Sequence, residues 1–189
     1  MKYVAFFLLG MTCACAGFGQ AADSAAIYTL ADTALANRLL EEGRELNNSQ
    51  RFGEALGKID SAARVFELTF GSNSKTVIKS LKEKSAVLNK MKLYDAAIEN
   101  EKIILKKNIE IFGKNSLESA RSYAAIAYVY SSLKNKEKQI ENYEIVVNIF
   151  LNKFENNNPQ LGVIYNNLGE IYRENGEYSK ALTYHRKAH

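Results

Sequence analysis

Tyr165-Asn166-Asn167-Leu168-Gly169-Glu170-Ile171-Tyr172, followed by Gly176-Glu177-Tyr178-Ser179-Lys180-Ala181-Leu182, decides the fold, because it recurs. One step of 42 residues back, Tyr165, Leu168, Gly169 and Tyr172 become Tyr123, Ile126, Ala127 and Tyr130. Two further steps give Leu81, Lys84, Ser85 and Leu88, then Leu39, Glu42, Gly43 and Leu46. The small residue of the second half follows the same register as Ala181, Gln139, Ala97 and Ala55, preceded by Tyr178, Lys136, Tyr94 and Phe52. Phe154, Phe112 and Phe70 form another column, and Gly113 and Gly71 follow the last two. A fixed period in this range marks stacked supersecondary units.

Each unit reads as two helices. Asp32, Ser74, Ser116 and Asn158 share the register and are residues whose side-chain oxygen can cap a helix N-terminus. Pro159 suits the first helical position after Asn158. Ile140, Tyr143, Val147, Phe150 and Phe154 recur at three and four residues, as do Ile98, Ile104, Leu105, Ile109 and Phe112, so the second helix of each unit carries one apolar face. No segment alternates strictly and no Asn-Gly or Asp-Gly hairpin occurs, which argues against strands. Gly43, Ser85, Ala127 and Gly169 in the first helix, with Ala55, Ala97 and Ala181 in the second, allow a close crossing.

These residues resemble the tetratricopeptide repeat: Leu168-Gly169-x-x-Tyr172, Gly176-x-Tyr178-x-x-Ala181 and Ala188 stand at its spacing. The usual period is 34. The period of 42, with Phe-Gly-x-Asn-Ser linkers at Phe70–Ser74 and Phe112–Ser116, is similar to the longer kinesin-light-chain type. The resemblance implies an all-α, right-handed superhelical solenoid of antiparallel helix pairs, about four units with the last incomplete. The units span approximately 32–73, 74–115, 116–157 and 158–189, within a repeat domain of 22–189. It also implies a non-enzymatic scaffold whose first helices line a concave groove for a protein or peptide. The groove residues expected from this frame are Asn37, Leu40 and Arg44; Lys79, Lys82 and Ala86; Arg121, Ala124 and Tyr128; and Asn166, Asn167, Glu170 and Arg173. In the family the residue at Asn167 commonly contacts the bound backbone, and its counterparts here are Glu41, Glu83 and Ala125. The cations and amides of this face suit an acidic peptide or a free C-terminal carboxylate.

Outside the repeats, Met1-Lys2, the apolar run Tyr3–Cys15 and the small, turn-prone exit through Ala21 describe a signal peptide over 1–21, cut after Gly19 or Ala21. An exported bacterial protein, periplasmic or extracellular, follows as the expected location. Cys13 and Cys15 are the only cysteines, so a mature chain has no thiol unless one of them is a lipid anchor. By its own period the last helix extends to about residue 196, beyond His189. Two expectations follow: the chain is the recognition end of a larger signalling protein with a membrane-tethered kinase or transcription regulator, or copies stack through the unfinished edge.

The 189 residues are 47% hydrophobic and 24% charged, with net charge +4, which fits one folded domain and excludes bulk disorder. Lys/Arg residues alternate with acids instead of clustering, so nucleic-acid binding is not expected. No cofactor motif, phosphate loop or serine elbow is present. His185 and His189 share a helix face but lack a third ligand and a zinc-protease glutamate, so they read as exposed histidines and no metal site is assigned. Asn47-Asn48-Ser49 is a formal glycosylation sequence.

Overall fold

The structure is a computed structural model that describes residues 18–153 and 159–188, with side chains from residue 29 onward. The described residues form eight helices: α1 (Phe18–Asn48), α2 (Phe52–Phe70), α3 (Lys75–Lys90), α4 (Tyr94–Phe112), α5 (Leu117–Ser132), α6 (Lys136–Lys153), α7 (Pro159–Glu174) and α8 (Tyr178–Lys187). Each packs chiefly on its neighbours in sequence, so the chain is an all-α solenoid of helix pairs. The second helices begin at Phe52, Tyr94, Lys136 and Tyr178, 42 residues apart.

The caps behave as the sequence suggests at two of four places. Ser74 Oγ accepts from the Val77 amide at 3.3 Å, and Ser116 Oγ accepts from the Ser119 amide at 3.1 Å. Asp32 is a correction: α1 starts at Phe18, so Asp32 lies inside the helix and caps nothing. The Ala-rich stretch before it has high helix propensity and continues the helix past the repeat boundary. Asn158, Phe154, His189 and the leader with Cys13 and Cys15 lie outside the described residues, and the expected cuts fall in the first residues of α1.

Turn chemistry repeats as well. Gln50, Lys92, Lys134 and Gly176, spaced by 42, all have positive φ between the helices of a pair. Gly71 (φ 82°, ψ 160°) and Gly113 (φ 88°, ψ 157°) end α2 and α4 in a region that only glycine visits freely.

The apolar core is divided. One cluster joins α1, α2 and α3 around Leu40, Ile59, Phe66 and Val77. Another joins α5 to α8 around Phe150, Leu161, Tyr165 and Leu168. Between them lies a small cluster of Leu88, Ala97, Ile98 and Val129. Helix α4, at this joint, buries Asn100, Glu101 and Asn108 among its apolar residues. Asn100 Nδ2 donates to Leu81 O (2.7 Å) and Ser85 Oγ (2.8 Å), and Asn108 Nδ2 to Ser122 Oγ (2.8 Å). Ion pairs stitch neighbouring pairs together: Lys84–Asp60 at 2.8 Å and Lys136–Glu174 at 3.6 Å.

Candidate functional site

The first helices present most of the expected face, with Leu40, Arg44 and Ala124 drawn inward to different degrees. Asn37, Lys79, Lys82, Arg121, Tyr128, Asn166, Asn167 and Arg173 are exposed. Leu40 is a correction: it is 2% exposed and belongs to the core with Ile59 and Phe66. Its column holds Lys82, Ala124 and Asn166 in later units; Ala124 is partly buried against the α5–α8 core, while Lys82 and Asn166 stay exposed.

Two expected cations are already engaged. Arg44 is half-buried, with Nη2 2.6 Å and Nε 2.9 Å from Glu83 Oε1 and Nη1 2.9 Å from Glu41 Oε2. This fork ties α1 to α3, and the hydrogen bond to Glu83 raises the guanidinium above its ordinary range. Arg173 donates to Glu170 at 2.7 Å, and the same bond lowers the Glu170 carboxyl. Asn167 Nδ2 lies 3.4 Å from the Tyr143 hydroxyl, and Asn166 Oδ1 3.3 Å from His185 Nδ1.

Lys79, Lys82 and Arg121 form no ion pair among the described residues. Lys79 and Lys82 line a cleft of about 330 Å³ with Lys75, Ile78, Asn108, Phe112 and Glu118. Three helices build it: α3 supplies the lysines one turn apart, α4 supplies Asn108 and Phe112, and α5 supplies Glu118. Lys75 Nζ lies 5.8 Å from the Phe112 ring centroid, so the floor is apolar and its rim cationic. Asn108 spends its Nδ2 on Ser122 and Glu118 O, which fixes the wall. The sequence frame finds Lys79 and Lys82 but misses Lys75, Asn108, Phe112 and Glu118. The one signal for them was the polar Asn108 on the buried stripe of α4.

His185 is another difference. Its ring lies on Gly169, where a Cβ would stand 2.7 Å from ring atoms, so it fills the helix crossing instead of simply facing solvent. Asn47 of the formal glycosylation sequence is 8% exposed, and its Oδ1 is buried without a partner. Among the described residues no group of three or more metal-ligating side chains and no membrane-spanning helix occurs.

Models of the tetratricopeptide repeat match residues 120–151 and 162–189. No curated protein matches the chain. Among solved structures it is similar to BtubC (BKLC) from P. vanneervenii, at TM-score 0.71 and 16% identity, over 92% of this chain and 72% of that one. A Podosopora anserina chain described as a kinesin light chain with nearly identical TPR-like repeats matches at TM-score 0.65 and 16% identity, over 83% and 74%. MamA matches at TM-score 0.56 and 20% identity, over 90% and 86%. At these identities the likeness is one of fold: a kinesin-light-chain-like solenoid of helix pairs.

Proposed function

We propose, from the tetratricopeptide repeats that this chain carries, that it is an exported, non-enzymatic scaffold that binds an extended acidic segment of a partner protein. The observation that carries this reading is the cleft rimmed by Lys75, Lys79 and Lys82, whose last two cations form no ion pair among the described residues. Such a site attracts carboxylates, either in side chains or at a C-terminus, while Ile78 and Phe112 offer contact to apolar atoms. Arg121, Asn166 and Asn167 extend the polar face along the solenoid. Export rests on the leader pattern of residues 1–21.

End-to-end stacking of copies is opposed by charge at the first pair. The places held by Ile164, Leu168 and Ile171 in the fourth pair are Arg38, Glu42 and Glu45 in the first, and stacking would desolvate these charges.

The test is titration of fluorescently labelled hexa-aspartate into the protein at low salt. Binding that weakens about tenfold or more in Lys79→Glu/Lys82→Glu, and falls steeply with added salt, supports the reading. Equal binding by the double variant sinks it. Mass spectrometry of the protein from its native host checks export: an N-terminus near Gln20 or Ala22 is expected, and an intact Met1 would refute it.

A further inference from the structure

Between the second helices α6 and α8, over α7, lies a cleft of about 450 Å³ that shares no lining residue with the lysine cleft. Its floor is aromatic. Tyr172 of α7 stacks on Tyr184 of α8 with ring centroids 5.3 Å apart and planes 9° from parallel, and Tyr165 lies 6.0 Å from Tyr184. Two lysines stand over these rings. Lys180 Nζ is 5.0 Å from the Tyr172 centroid, and Lys187 Nζ is 5.4 Å from that of Tyr184 and 5.7 Å from that of Tyr165. Glu144 supplies the α6 wall, and Ser179 and Thr183 complete the wall made by α8.

Both signs of charge are left open here. Glu144 and Lys187 form no ion pair and no hydrogen bond among the described residues. Tyr172 is 6% exposed and lines the cleft, yet its hydroxyl forms no hydrogen bond among the described residues. Burial first, and then the Glu144 charge, push that phenol above its ordinary range, so it stays a neutral donor near the carboxylate. One unit earlier the same register is closed. Lys102, Lys138 and Glu141 stand where Glu144, Lys180 and Thr183 do, and there Lys102 pairs with Glu99 at 2.7 Å and Lys138 with Glu141 at 2.8 Å. Asn142 and Ile145 hold the places of Tyr184 and Lys187. Helix packing is thus met in the third unit without an open carboxylate and an open ammonium, and only the fourth unit adds them beside three tyrosines.

We infer that this tyrosine cleft is a second binding site, for a small zwitterion such as a free amino acid or a dipeptide, with its ammonium at Glu144 and its carboxylate at Lys187. Charge decides the class. A purely anionic ligand meets Glu144, and a purely cationic one meets Lys180 and Lys187. A neutral ligand strips water from both charges without replacing it. A molecule with an ammonium at one end and a carboxylate at the other answers both, and free chain ends are a recurrent object of recognition. Lys180 is already held by Glu177 at 2.6 Å, which leaves Lys187 as the cation for the carboxylate. The tyrosine rings favour an ammonium beside them, and the Tyr172 and Ser179 hydroxyls offer hydrogen bonds. The cleft volume lies in the range of small-molecule sites.

The probe is the dipeptide L-alanyl-L-alanine, whose two ends are both charged at about pH 7. It is titrated into the isotope-labelled protein while the amide NMR signals of Lys180, Thr183 and Tyr184 are followed. Saturable shifts are expected. Acetylating the amine of the probe, or amidating its carboxylate, weakens binding about three- to tenfold in each case. Glu144→Gln weakens the unmodified dipeptide by a similar factor and leaves the acetylated probe unchanged. Lys187→Met weakens the unmodified dipeptide likewise and leaves the amidated probe unchanged. Both side chains are exposed, so the variants keep the fold, and circular dichroism melts confirm it. Shifts that are absent or do not saturate overturn the inference. Equal binding of the acetylated probe, which marks a plain anion site, also overturns it, as does equal binding of the amidated probe or native affinity in both variants. None of these outcomes bears on the lysine cleft, whose own test is hexa-aspartate.

Discussion

Gly43 leaves the space that Ile59 fills, and the pair shows how one column of small residues sets the helix spacing. Ile59 is buried, with no room to retreat. Gly43→Ala is therefore expected to destabilise the protein by about 1–3 kcal/mol in urea unfolding, despite alanine's better helix propensity. A gain in stability would mean that the crossing relaxes freely. Glu101 behaves oppositely. Its folded-state carboxyl is raised by burial, with Ser85 and Lys82 opposing. A raised acid contributes stability that is fully present below its unfolded value and lost as pH rises through the folded value. Glu101→Leu should thus stabilise the protein at about pH 8, by roughly 1 kcal/mol or more, with the gain shrinking toward about pH 4. Thermal melts across pH check the sign.

At the scale of the element, helix ends carry the information. Ser116 is buried, accepts from the Ser119 amide and donates to Ser119 Oγ, which in turn donates to Gly113 O at 2.8 Å. Ser116→Ala breaks this chain at the seam between α4 and α5 and should cost about 1–2 kcal/mol. The positive-φ column makes a contrasting case. Lys92 and Lys134 sit at φ 60° and 56° where the fourth pair has Gly176. Lys92→Gly is expected to be neutral or to stabilise by up to about 1 kcal/mol, because glycine adopts this region without a Cβ clash. Gly71→Ala, at ψ 160°, should cost about 1–3 kcal/mol. Chemical denaturation of this trio reports the difference.

For the whole molecule, stability is a chain of neighbour contacts, and α4 is its polar link. The clusters on either side are apolar, whereas α4 meets α3 and α5 partly through Asn100 and Asn108. Such seams open more readily than dry ones. Hydrogen exchange should find α4 amides less protected than those of α7, which packs Leu161, Tyr165 and Leu168 into the largest cluster. Equal protection would mean that the seam is as firm as the core. The lysine cleft lies at this joint, so a ligand bound there should raise α4 protection. At the other end of the solenoid, Tyr178 and Leu182 of α8 are 71% and 53% exposed, while their counterparts Phe52, Leu56, Tyr94 and Ile98 pack against neighbouring pairs.

The sequence by itself determined the repeat, the helix pairing and the caps at Ser74 and Ser116. These depend on periodicity and local backbone chemistry, which are written in consecutive residues such as Leu168-Gly169 or Ser116 and its Ser119 amide. It also placed Asn37, Lys79, Lys82, Arg121 and Tyr128 on an exposed face, since one helix period fixes a direction. Only the tertiary structure decided which of these residues are available. Arg44 is spent on Glu83, 39 residues away, and Leu40 turns into the core. His185 fills the Gly169 crossing, and the cleft borrows Asn108, Phe112 and Glu118 from two further helices. Pairing and burial between helices depend on side-chain reach and relative rotation, and a 42-residue period carries neither.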